Sequence, residues 1–192
     1  MLKKLLLVLV VLIAGVVIYF ISGSEVTKQV DSFVYELPFE KGRSFRVVQG
    51  YGGKFSHKNK AALDFAMPVG TPIHAARGGE IFSYKDDSDA GGPFSKYSRK
   101  ANYIMIRHDD GSYGCYWHLQ KNGVAVKKGK VVKGQLIGYS GNTGFVLRPH
   151  LHFAVKKVLN YEMNSFIQTR FKTTDGILVP AAGNSYTRPV DQ

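Results

Sequence analysis

Between Asn102 and Leu119 the chain writes two alternating runs, Asn102–His108 and Ser112–Leu119, on either side of Asp109-Asp110-Gly111. Alternation with period two gives each run one face for a core, and an Asp-Gly turn between such runs predicts an antiparallel hairpin. In the second arm, alternation puts Tyr113, Cys115 and Trp117 on one face and Tyr116 and His118 on the other. His108 adjoins the turn and reads as solvated. The rest of the chain repeats the theme in shorter pieces. Its 21 glycines, 11 tyrosines and 12 phenylalanines, with no long helical periodicity, predict many short strands joined by tight turns. The expected fold class is all-β, an antiparallel sheet or sandwich.

Around the hairpin, Phe45–Gly53 reads as a strand ending in a glycine turn, and Lys54–Lys60 as a polar loop carrying His57. Ala61–Ala66 reads as a buried strand with Asp64 in its middle. A buried carboxylate there must be paired or ligated. Ile73–Ala76 and Glu80–Tyr84 are further short strands, with His74 structural. Lys85–Lys100 reads as a surface loop flanking a groove. Its aspartates lack the spacing of a calcium loop. Cys115, the single cysteine, excludes an internal disulfide and thiolate zinc clusters, and among aromatics it reads as core.

The N-terminus supplies a different constraint. Leu5–Ile21 is an uncharged run of 17 residues preceded by Lys3 and Lys4. As a helix it would span roughly 26 Å, enough to cross a hydrocarbon core, with the lysines cytoplasmic. A cleaved signal peptide is the alternative, since Ser22-Gly23-Ser24 is a small-residue triplet. We therefore expect an N-terminal transmembrane helix within an anchor over 1–24, a linker over 25–44, a domain over 45–157 and a C-terminal extension over 158–192. The chain then works on the outer face of the membrane, or is secreted if the segment is cleaved. The formal net charge of +12 favours an anionic partner. An extracytoplasmic address turns that preference from nucleic acid towards the envelope.

Chemistry concentrates near Pro149–Phe153, the run Pro-His-Leu-His-Phe. On a strand His150 and His152 project to one face, their Cα atoms roughly 6–7 Å apart, while Leu151 and Phe153 face the core. With His57, Asp64 and His118 they form a set of imidazoles and one carboxylate. That set has enough members for three zinc ligands and two proton-transfer groups. Spacing alone does not say which member of His-x-His would bind metal.

Four segments, ALDFAMPVGTPIHAARGGEI, YWHL, VVKGQLIGYSGNTG and PHLHF, in that order between Gln49 and Val155, resemble the lysostaphin-type (LytM-like) zinc metallo-endopeptidases. The resemblance implies a LytM-like fold, related to the barrel-sandwich hybrids, a Zn2+ cofactor and hydrolysis of peptide bonds in peptidoglycan. It implies His57, Asp64 and His152 as metal ligands and His118 and His150 as the catalytic pair. The family's usual first motif, His-x-x-x-Asp, is stretched here: Lys60 stands four before Asp64, and His57 stands seven before it. A loop position for His57 absorbs the extra residues. Tyr51 is a further candidate to hydrogen-bond an oxyanion. The alternatives are a non-catalytic protein of the same fold that binds the wall or activates another hydrolase, and a structural envelope protein.

Overall fold

In a computed structural model of the chain, residues 30–159 and 165–191 are described. The expected transmembrane helix lies outside them. Among the described residues no helix is long and apolar enough to cross a membrane.

Alternation decides how the central strands sit. In β3 (Ala62–Ala66) Leu63 and Phe65 are fully buried in the main core, and β12 (His150–Lys156) sends Leu151 and Phe153 into the same cluster. The strands pair antiparallel, with Phe65 opposite Leu151 and Asp64 opposite His152. The odd positions therefore build the hydrophobic interior, and Asp64 and His152 emerge together on the reverse face. Around the central pair run β2 (Ser44–Gln49) and β15 (Ser185–Thr187) on one side. On the other lie β8 (Tyr113–Val124), β7 (Asn102–Arg107), β5 (Gly79–Lys85) and β9 (Lys130–Val131), giving the order β15-β2-β3-β12-β8-β7-β5-β9. The strand β10 (Leu136–Ser140) pairs with β8 and with β4 (Pro72–His74).

Among the described residues the fold is mostly antiparallel β, as expected, with two parallel pairings. One joins β1 (Val30–Glu36) to β13 (Phe166–Thr173), and the other joins β6 (Gly91–Gly92) to β11 (Gly144–Phe145). Tyr35, Leu37 and Phe39, within the expected linker, are fully buried in the core. Within the expected C-terminal extension, β13 pairs with β12 and β14 (Gly176–Leu178), and β15 pairs with β2. Tyr35, Phe65, Tyr116, Phe153 and Phe171 meet in edge-on and tilted contacts at the centre of the core.

The hairpin forms as β7 and β8, with Gly111 at φ 81° in the turn. His108, expected in solvent, is buried, and its Nδ1 donates to the Gly78 carbonyl at 2.8 Å. The turn folds back over this segment because Arg77 binds both Asp109 and Asp110. Two other expectations hold. His74 Nδ1 donates to the Gly134 carbonyl at 2.8 Å, a structural contact. Cys115 is fully buried, and burial pushes its thiol up to about 12, so it is core and no thiolate nucleophile at neutral pH.

Near-terminal segments are joined by a buried cation. Arg188 donates to Glu36 Oε2 through Nε (2.9 Å) and Nη2 (2.6 Å), and through Nη1 to the Phe39 carbonyl. Burial pushes the Glu36 carboxyl up, but the Arg188 hydrogen bond and charge, with Lys133, outweigh it and hold the group below its ordinary value. A lowered folded-state pKa contributes stability above the unfolded value, near 4.3, which is lost as pH falls through the folded value. We expect urea midpoints to drop through that acid window, and Glu36→Gln to flatten that part of the profile.

Candidate metal centre

The register of the sheet brings the reverse-face groups into a row. Gln49 on β2 is opposite Asp64, Asp64 is opposite His152, and His152 is opposite Trp117 on β8. His57 arrives from the loop between β2 and β3 and is fully buried. Three ligand atoms converge: His152 Nδ1 lies 2.8 Å from Asp64 Oδ1 and 3.1 Å from His57 Nε2, and His57 Nε2 lies 3.2 Å from Asp64 Oδ1.

The chemistry of this triad fits a cation. His57 Nδ1 is 3.0 Å from the Gly50 carbonyl, which can only accept, so the proton is on Nδ1 and Nε2 carries a lone pair. A lone pair on His57 and a carboxylate oxygen thus crowd one His152 nitrogen, whose single proton can serve only one of them well. One ion would satisfy all three. Donors around a tetrahedral zinc at ~2.0–2.1 Å sit about 3.3 Å apart, close to the spacings seen here. Burial pushes Asp64 up, but His152, by charge and hydrogen bond, then His57 and His150, hold it well below the usual carboxylate range. Burial holds His152 below the ordinary histidine value against the pull of Asp64. A carboxylate at Asp64 and a neutral imidazole at His152 are the protonation states that zinc requires of them.

Two more histidines border the triad. His118 Nδ1 donates to the Thr143 carbonyl at 2.7 Å and His150 Nδ1 to the Arg148 carbonyl at 2.8 Å, so each keeps an Nε2 lone pair. His150 Nε2 lies 3.6 Å from Asp64 Oδ1, and the His118 and His150 rings are 4.7 Å apart. His118 has φ 66°, a left-handed conformation unusual for any residue but glycine and one that recurs at functional sites. This breaks the alternation expected along β8: Tyr116 is fully buried in the core, whereas His118 lines a cleft. Burial first, then His150 and His152, push His118 down to about 3, leaving it a neutral imidazole.

That cleft, about 760 Å³, runs over Asp64, His118, His150 and His152. Its walls are largely apolar, and Phe55 and Phe145 stack at its rim with centroids 5.9 Å apart. Phe145 belongs to β11, whose pairing with β6 ties the Lys85–Lys100 loop to the cleft, as expected of a loop flanking a groove. Tyr51 does not serve this cleft. Its hydroxyl lies 2.7 Å from Thr169 Oγ1 and accepts from the Thr169 amide at 3.1 Å, so it is held at β13 and is not the oxyanion partner expected. The sequence reading also missed Gln49, whose side chain reaches Asp64.

The pattern of Peptidase family M23 matches residues 58–165. Relatives include the peptidoglycan DD-endopeptidase ShyA of Vibrio cholerae, 43% identical over 91 residues covering 47% of this chain and 18% of ShyA. The glycyl-glycine endopeptidase ALE-1 of Staphylococcus capitis is 38% identical over 96 residues, covering 50% of this chain and 24% of ALE-1. This chain thus spans about a fifth to a quarter of the length of these relatives. Among solved structures, a catalytic-domain variant of the prophage-encoded M23 protein EnpA from Enterococcus faecalis superposes with a TM-score of 0.50. It is 22% identical and covers 68% of this chain and 92% of its own, a likeness of fold alone. With more than half of its residues inside the matched pattern, the chain belongs to Peptidase family M23.

Proposed function

We propose that the chain is a zinc-dependent endopeptidase that hydrolyses peptide bonds in the stem peptides or cross-bridges of peptidoglycan. His57, Asp64 and His152 hold the metal, and His118 and His150 move protons. The observation that carries this reading is the convergence of three ligand atoms within 3.2 Å of one another, beside two imidazoles whose Nδ1 protons are already committed to carbonyls. The names of ShyA and ALE-1 support a peptidoglycan substrate and leave both DD and glycyl-glycine bonds open.

When bound, zinc polarises the scissile carbonyl and lowers the pKa of the attacking water to about 7. The chain's own residues do the rest. The apolar cleft walls exclude bulk water and align an extended peptide over His150 and His118. A neutral imidazole Nε2 takes the proton from the attacking water, and one of the pair returns a proton to the leaving amine as the C–N bond breaks. Nδ1–H bonds to the Thr143 and Arg148 carbonyls fix the ring orientations and steady each imidazolium as it forms.

The uncharged run Leu5–Ile21 supports retention at the outer face of the cytoplasmic membrane, with the β-domain that carries the triad facing the wall. Incubating the full-length chain with purified sacculi and identifying released peptides by mass tests the activity and the bond. A chelator is expected to reduce release to background, and added zinc to restore it. Undiminished digestion in chelator would contradict a metal-dependent hydrolase.

A further inference from the structure

We propose that Gln49 is a positioning residue of the metal centre, selecting the Asp64 oxygen that faces the ion and suspending the loop that delivers His57. The inference rests on the reading of His57, Asp64 and His152 as metal ligands. Gln49 makes four hydrogen bonds, and each does a separate job. Its Nε2 donates to Asp64 Oδ2 at 2.8 Å, occupying the oxygen that points away from the two ligand histidines and leaving Oδ1 for them. The same nitrogen donates to Ser56 Oγ at 2.7 Å. Its Oε1 accepts from the Phe55 amide at 3.2 Å and from the Ser56 amide at 3.0 Å, the two residues before His57. One side chain thereby links the strand ligand to the loop ligand.

The backbone has been arranged for this contact. Val47 is opposite Phe65 and Gln49 is opposite Asp64, so two steps along β2 match one step along β3. This bulge reverses the facing of β2, and Gln49 leaves the side of Phe45 and Val47 for the side of Asp64. Gly53 keeps the space open: a Cβ there would lie 2.5 Å from Gln49 Cγ. The residues that follow His57 are closed by their own turn, the Lys60 amide donating to the His57 carbonyl at 2.9 Å, while the Gln49 amide holds the two residues that precede it.

The test is zinc affinity of the full-length chain, measured by competition with a chromophoric chelator, for wild type, Gln49→Leu and Gln49→Asn. Leucine keeps the bulk without the amide, and asparagine keeps the amide one methylene short of its partners. Both are expected to raise the zinc dissociation constant roughly 10- to 100-fold, the usual effect of losing an outer-shell partner. Both should also speed hydrogen exchange at the Phe55 and Ser56 amides and alter the visible spectrum of the cobalt-substituted protein. Either folded variant binding zinc as wild type does, with an unchanged cobalt spectrum, overturns the role of Gln49 while leaving the triad intact. A wild-type chain that binds no zinc overturns both the triad and this inference.

Discussion

Replacing Asp64 with alanine is expected to release the metal and lower peptide-bond hydrolysis by roughly 10³-fold or more, about 4 kcal/mol of transition-state stabilisation. Asp64 supplies the only carboxylate of the triad and lies within 3.2 Å of His152 Nδ1 and His57 Nε2. Removing it leaves two neutral imidazoles, too few donors and no negative charge to hold a dication. His57→Ala should act in parallel. The fold should survive Asp64→Ala, because Leu63 and Phe65, the core-forming neighbours, face the opposite side of β3. Circular dichroism with release of wall peptides checks both halves of the expectation. A folded Asp64→Ala protein that digests wall at the wild-type rate would contradict the ligand assignment.

His150→Ala and His118→Ala should give the complementary result: metal retained, turnover lost. Neither side chain is needed to close the triad, yet both present Nε2 to the same cleft. General acid–base groups contribute about 10²- to 10⁴-fold, so kcat should fall within that range while KM moves little. The His118 variant carries an extra signature. Position 118 is left-handed, so His118→Gly should be at least as stable as His118→Ala while being equally inactive, since glycine adopts that conformation without the steric cost. Steady-state kinetics on a defined muropeptide, paired with thermal melting, separates the two effects.

How much of this was legible in the sequence depends on whether the deciding contact was local. The β7–β8 hairpin and the shared facing of His150 and His152 follow from period-two alternation and turn chemistry, and both appear as read. Asp64 in an apolar strand was conspicuous because a buried charge requires a partner, and its partners are the histidines. Alternation failed where the backbone departs from it. The bulge in β2 carries Gln49 across the sheet, and the left-handed residue at 118 redirects a side chain that strict alternation pairs with Tyr116. Neither departure has a sequence mark, since no glycine or proline stands at Val48 or His118. Tyr51 and His108 depart from expectation for another reason: their partners, Thr169 and Gly78, are brought close only by the assembled sheet. The extra residues between His57 and Asp64 are absorbed in a turn, closed by the Lys60 amide donating to the His57 carbonyl at 2.9 Å.

Metal analysis of the purified chain beside five single alanine variants, each desalted without added zinc, tests the central claim most directly. The account predicts about one zinc per wild-type chain, the same content in His118→Ala and His150→Ala, and loss of the ion from His57→Ala, Asp64→Ala and His152→Ala. Stoichiometric zinc that survives removal of any two of those three ligands one at a time, or a wild-type chain that takes up none, would contradict it.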